Sequence, residues 1–243
     1  MNFKAISQKE FDDNLSANFI FEDKPHIGIC ISGGSDSMAL LMLMRSSIKR
    51  LNGKISAIHF DHNLREESNL EANILEKKLN KLQVNFYKIV WNHRKIKTRI
   101  MERARSARYE NIINLCKKLK IINLMTAHNF EDNLETYLMR KKRSNSSLGL
   151  SSIPKIRIVD NVRIIRPLLF CKKKCLEATC KKFKIKWIED ESNYDQKFER
   201  IKTRSLLKLK SEKEIEKISS EFNKKKKKIY QSKKEFLYFF VKN

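Results

Sequence analysis

Five apolar runs of strand length recur along this chain: His26–Ile31, Ile55–Phe60, Val84–Trp91, Ile121–Thr126 and Val162–Arg166. Helical patterns separate the first four, at Met38–Lys49, Ser68–Leu82 and Thr98–Leu119. Strand and helix alternating at this spacing leave few architectures open. The expected fold is α/β, a Rossmann-like parallel sheet with helices on both faces. Ligands of such sheets gather beyond the carboxyl ends of the strands. Three chemically loaded segments fall there: Ser32–Ser37 after the first strand, Asp61–Arg65 after the second and Thr126–Glu135 after the fourth.

The first of these is the most specific. The whole protein has five glycines, and Gly33 and Gly34 stand side by side in IGICISGGSDS, Ile27–Ser37, with the helical MALLMLM directly behind. Glycine serves where backbone approaches something closely or takes a positive φ. A strand, such a loop and a helix start together aim several N–H groups and a helix dipole at one point, which suits a phosphate. The spacing matches neither Gly-x-x-x-x-Gly-Lys-Ser/Thr nor Gly-x-Gly-x-x-Gly. It resembles the PP-loop of the N-type ATP pyrophosphatases, which hold the pyrophosphate of ATP. A tight strand–helix turn is the competing reading. Asp36 and three serines beside the glycines favour phosphate.

In TAHNFEDNLET, Thr126–Thr136, a helix opening at once would put His128, Asp132 and Glu135 on one face, with Glu131 beside them. A magnesium ligand set, a site for a cationic substrate and a His–carboxylate acid–base pair are all open. Acids in a first turn also simply favour the helix dipole. Asp61, His62 and Arg65 in HFDHNLR are either structural hydrogen-bonders or nucleotide contacts. Arg103, Arg105 and Arg108 in MERARSARYE read as a solvated helix face or as charge for a reacting phosphate.

Lys plus Arg total 53 against 28 Asp plus Glu, a formal charge of +25. That excess predicts a polyanionic partner, most simply nucleic acid. AT-rich coding drift is the bland alternative. No stretch approaches a membrane-spanning length. The N-terminus, with Glu10, Asp12 and Asp13, does not read as a targeting segment, so the expected location is cytoplasmic. The five cysteines are odd in number and lack Cys-x-x-Cys pairs; Cys171, Cys175 and Cys180 read as buried free thiols rather than a metal or iron–sulfur site. Arg140–Ser152 reads as a flexible basic loop. From Ser205 the chain is lysine-rich, and Ile215, Phe222, Ile229 and Phe236 recur every seven residues, the pattern of an amphipathic helix that docks on the main domain. The expected division is a catalytic domain over residues 1–204 and a short Lys-rich helical tail over 205–243, a small C-terminal helical extension.

Taken in order, SGGSDS, FDHNLR, ARSARY, TAHNFEDNLET, RPLL at Arg166–Leu169 and IEDESNYDQKFERIKTR at Ile188–Arg204 closely resemble the bacterial tRNA(Ile)-lysidine synthetases. The resemblance covers most of Ile27 to Arg204. It implies an ATP- and Mg²⁺-dependent ligase. ATP adenylylates the wobble cytidine (position 34) of the isoleucine tRNA with a CAU anticodon on O2; the ε-amine of L-lysine then attacks C2 and expels AMP. Carried over residue by residue, Ser32, Gly33, Gly34, Ser35, Asp36 and Ser37 hold ATP, with Asp36 on Mg²⁺. Arg108 and His128 join Asp36 in the activation chemistry, Asp132 and Glu135 recognise lysine, and Arg200 contacts phosphate or tRNA. Some members of the family are dimers, so a homodimer is among the expected states.

The chain departs from the family pattern in three places. Ser144 and Ser146 stand where the family has glycines. Asn129 and Glu131 stand where His and Asp are common. The tail after Arg204 is short, and its Lys224–Lys228 run is the expected substitute for a full tRNA-binding domain. A PP-loop tRNA thiolase and a non-catalytic RNA-binding relative are the rival readings. The missing cysteine pairs oppose the first; intact Asp36, His128, Asp132 and Glu135 oppose the second.

Overall fold

The computed structural model describes residues 3–63, 68–93, 98–143, 153–188, 199–211 and 213–224, with the backbone alone at Met101, Arg143, 199–201 and Lys208. They form two compact units, residues 1–128 with 155–189, and 129–154 with 190–243. The boundary expected at 204/205 falls inside a helix, Glu199–Lys208.

The first unit is built on a six-stranded sheet of β1 (His26–Cys30), β2 (Lys54–Asp61), β3 (Asn85–Val90), β4 (Asn123–Met125), β5 (Ile156–Val159) and β6 (Val162–Ile165), in the order β3-β2-β1-β4-β6-β5. All neighbours are parallel except β5 and β6. Those two form a hairpin that the sequence reading missed. Its turn is Asp160-Asn161, both at positive φ, the residues a tight primed turn prefers. Also missed were α1 (Gln8–Asn18) and α6 (Lys173–Lys182).

The inner strands β1, β2, β4 and β6 are buried on both faces, so apolar residues run consecutively along them. Ala57, Met125 and Ile165 join one core cluster. Their neighbours Ile58, Leu124 and Ile164 join the other. The first core packs on α2 (Ser35–Arg50), in which Met38–Met44 is buried throughout, with α1 and α6 outside it. The second packs on α4 (Ile100–Lys118). The remaining crossover helix is α3 (Ser68–Lys81).

The second unit joins α5 (Phe130–Arg143), α7 (Glu199–Lys208) and a further helix, α8, over 213–224. Leu134, Tyr137, Leu207 and Phe222 are its core, with Ile215 and Ile218 against it. Ser211 and Glu214 form a reciprocal cap on α8: each backbone N–H donates to the other's side chain, at 2.9 and 3.3 Å. Of the seven-residue apolar seam, Ile215 and Phe222 pack with α5 and α7 inside this second unit; Ile229 and Phe236 lie outside the described residues. Tyr137 Oη donates to Glu221 at 2.9 Å, and burial first, then that bond, push its pKa up to about 12.

Candidate active site

Strand order reverses at β1. Chain order runs β1 to β2 to β3 on one side, then returns to β4 on the other. The crevice of a doubly wound sheet opens at such a switch point. Ile29 pairs with Met125, so Cys30–Ser32 and Thr126–His128 leave the sheet together at its carboxyl edge.

The loop there is held from within. Gly33 takes φ +87, and an added Cβ would meet Ile188 Cδ1 at 3.0 Å. The Ile188 N–H also donates to Gly33 O at 2.9 Å, so the segment behind α6 clamps the turn. Gly34 differs: it caps α2 in an extended conformation, φ −71, and an added Cβ would meet only Ser32 Oγ, at 3.5 Å. The fold therefore requires glycine at 33, whereas at 34 it leaves room beside the helix start. The Gly34 side supplies no side-chain cap to α2. Ser37 Oγ donates to Gly34 O at 3.0 Å and lies 3.3 Å from Ser32 Oγ. Ser35 Oγ donates to Asp36 Oδ1 at 3.3 Å. Beneath, the buried Cys180 thiol of α6 donates to Ser35 O at 3.2 Å. Hydroxyls and the positive end of a 16-residue helix thus meet at one turn, a geometry for phosphate oxygens.

His128 precedes α5 rather than riding on it, so the one-face alignment with Asp132 and Glu135 does not form. Its Nδ1 lies 2.9 Å from Thr126 Oγ1 instead. Arg108 is half-buried on α4, near enough to the β1 terminus to affect Cys30. Burial first raises that thiol to about 11, against the pull of Arg108 and Arg166. Burial likewise raises Cys116 and Cys180 to about 12. All five cysteines are free, and the described residues hold no cluster of three or more His, Cys, Asp or Glu suited to a metal. Cys30, Cys116 and Cys180 are therefore poor nucleophiles and poor metal ligands, because both tasks need thiolate.

At the end of β2, Asp61 is buried and accepts from Asn63 N at 2.8 Å, with Lys88 at 4.0 Å. That is the work of a turn. His59 Nδ1 lies 2.9 Å from Ile31 O, and burial lowers its pKa. His62 packs edge-on to Phe60, and Arg65 lies outside the described residues.

The second unit presents the acids of α5. Asn129 and Asp132 cap the helix reciprocally, at 2.9 and 3.0 Å. Glu135, 1% exposed, accepts from Arg204 Nε at 2.6 Å and Nη2 at 3.3 Å; Arg204 Nη2 also lies 3.5 Å from Asp132 Oδ1. Sequence reasoning missed Arg204, although IKTR ends the motif that carries it. Arg200 sits in the backbone of α7, its side chain outside the described residues, as are Ser144, Ser146 and Lys225–Lys228.

Residues 4–210 match the PP-loop domain. The chain is 36% identical over 198 residues to a tRNA(Ile)-lysidine synthase of Orientia tsutsugamushi, covering 82% of this chain and 45% of the relative. It is 38% identical over 195 residues to that of Rickettsia conorii, covering 80% and 40%. The chain thus spans less than half the length of these curated relatives. Among solved structures, the U34-tRNA thiolase NcsA of Methanococcus maripaludis with its [4Fe-4S] cluster superposes at TM-score 0.72 and 13% identity, covering 89% of this chain and 77% of that one, a likeness of fold. No described helix is long and apolar enough to cross a membrane. With its glycine turn at the sheet's switch point and the domain matched from residue 4 to 210, the chain belongs to the PP-loop family.

Proposed function

We propose that this chain is a cytoplasmic tRNA(Ile)-lysidine synthetase. Its substrates are ATP, L-lysine and the isoleucine tRNA with a CAU anticodon. The observation that carries the reading is the run of lysidine synthase relatives over four fifths of the chain, 80% for Rickettsia conorii.

In the first step cytidine O2 attacks the α-phosphorus of ATP, a P–O bond forms, and pyrophosphate leaves with the electron pair. The Ser32–Ser37 turn and the start of α2 hold the departing pyrophosphate, and Arg108 offsets charge at the α-phosphate. His128, held by Thr126, orients the activation chemistry. Asp36, in the first turn of α2 among phosphate-facing hydroxyls, fits Mg²⁺, which takes one or two carboxylates plus phosphate oxygens and water. That ion would neutralise the charge of the pyrophosphate. In the second step the neutral lysine ε-nitrogen attacks C2, AMP leaves with the C2–O2 bond pair, and the nitrogen loses one proton to solvent. The α5 carboxylates Asp132 and Glu135 attract the lysine as a cation. Arg200 contacts phosphate or tRNA, and a homodimer is one oligomer compatible with the resemblance.

A thiolase would need a thiolate or a cluster, and the buried thiols oppose it. The test is transfer of labelled lysine to a CAU isoleucine tRNA transcript with ATP and Mg²⁺, beside a wobble-uridine control. Cytidine- and ATP-dependent labelling is the expected result. Pyrophosphate release without labelling would sink the lysine assignment. Neither signal, from folded protein that binds the tRNA, would leave a non-catalytic RNA binder.

A further inference from the structure

Tyr109 of α4 collects arginines. The guanidinium carbons of Arg105, Arg108 and Arg157 lie 5.2, 5.4 and 5.9 Å from its ring centroid. The first two come from α4 and the third from β5. A fourth, Arg166 just after β6, is 4% exposed and interacts electrostatically with Tyr109. Burial lowers the pKa of Arg166, and Arg157 and Arg105 lower it further.

Like charges on separate elements gain by splaying into water. Here they converge, and among the described residues none of Arg105, Arg108 and Arg157 forms an ion pair. The ring's negative face offsets part of the repulsion, on the order of 0.5–1 kcal/mol for each exposed cation. The rest stands as unspent positive potential on a surface that ends, through Arg108, at Cys30 of the β1 terminus. An anion with several oxygens spaced along a chain would relieve it. Planar guanidinium forks grip phosphate bidentately.

We propose that Arg105, Arg157 and Tyr109 form a docking site for RNA backbone phosphates beside the active edge. The choice of RNA rests on the lysidine reading; the phosphate chemistry does not. Arg108 shares the ring, so the site links the strand bound outside to the phosphate handled inside.

The test is equilibrium binding of the full chain to an RNA hairpin carrying the CAU anticodon loop, across a salt series without ATP or lysine. Arg105→Gln/Arg157→Gln removes two exposed side chains and leaves both cores intact. Binding is expected to weaken by roughly tenfold, and the log–log salt slope to become shallower by about 0.7–0.9 for each phosphate lost. Tyr109→Phe, which keeps the ring, should bind better than Tyr109→Leu; circular dichroism melts confirm that each variant is folded. An unchanged slope in the double variant overturns the proposal. So does a raised KM for ATP with unchanged RNA binding, which would give these arginines to the nucleotide. A wild-type chain that binds the hairpin with the expected variant effects, yet transfers no lysine, refutes the lysidine reading and leaves this one standing.

Discussion

Arg204→Ala isolates the most consequential ion pair described. Glu135 is 1% exposed and Arg204 28%, with Nε–Oε1 at 2.6 Å. At that separation, with an effective dielectric constant of ~20, the attraction is on the order of 6 kcal/mol, much of it offset by desolvation of the carboxylate. Removing one partner of a fully buried pair costs about 3–5 kcal/mol, because the survivor is left charged and dry. Arg204 keeps some water contact, so the lower end applies, about 3 kcal/mol. The loss should appear in the second unit, where Arg204 ties α7 to α5. Hydrogen exchange of amides in α7 and α5 is the assay, and a 3 kcal/mol loss lowers their protection by roughly two decades. Replacing both partners, Glu135→Leu with Arg204→Leu, should restore most of it, since an apolar pair of similar size is often neutral or better. A fall of less than about threefold in the single variant would mean the pair behaves as a surface contact, and the argument from burial would be wrong. The result also bears on lysine recognition: a Glu135 variant that loses lysine transfer must first be shown to retain α7.

Three further outcomes are expected. Gly33→Ala should destabilise the first unit by about 1–2 kcal/mol, from positive φ and the Ile188 clamp, whereas Gly34→Ala should melt like the parent and lose ATP binding; equal melting losses would refute the distinction. Thiol-directed alkylation near pH 8 should leave native Cys30, Cys116 and Cys180 unmodified, their pKa values being about 11, 12 and 12, and should leave lysine transfer intact; rapid labelling by mass spectrometry would contradict the burial argument. Tyr137 has its folded pKa raised to about 12 from 10.0, so its contribution to stability is complete below pH 10 and is lost as pH rises toward 12; Tyr137→Phe should flatten that part of an alkaline denaturation curve, and an unaltered curve would count against the Glu221 bond as its cause.

The sheet was legible because strand and helix periodicities are local. Each of the five apolar runs became a strand, with ends shifted by a residue or two. β5 was not legible as a run because only IRIV announces it; its signal was the Asp160-Asn161 turn between two matching stretches. The helix expected to carry His128 begins at Phe130 because Asn129 takes the cap, and Asp132 answers it. That pattern is readable in the sequence as a cap followed three residues on by an acid, and it outweighs the alignment that the i, i+4, i+7 spacing suggested.

What the sequence determined by itself was the alternation of elements, the phosphate-type turn behind β1 and the excess of positive charge. Each depends on residues adjacent in the chain or on simple addition. Tertiary structure alone decided that Ile188 would close on Gly33, that Arg204 would reach Glu135 across 69 positions, and that Tyr109 would gather arginines from α4, β5 and β6. Such partners are chosen by how helices and strands pack. A guanidinium carries no local mark of the carboxylate or ring it will find, because that is set by burial, which only the folded chain defines.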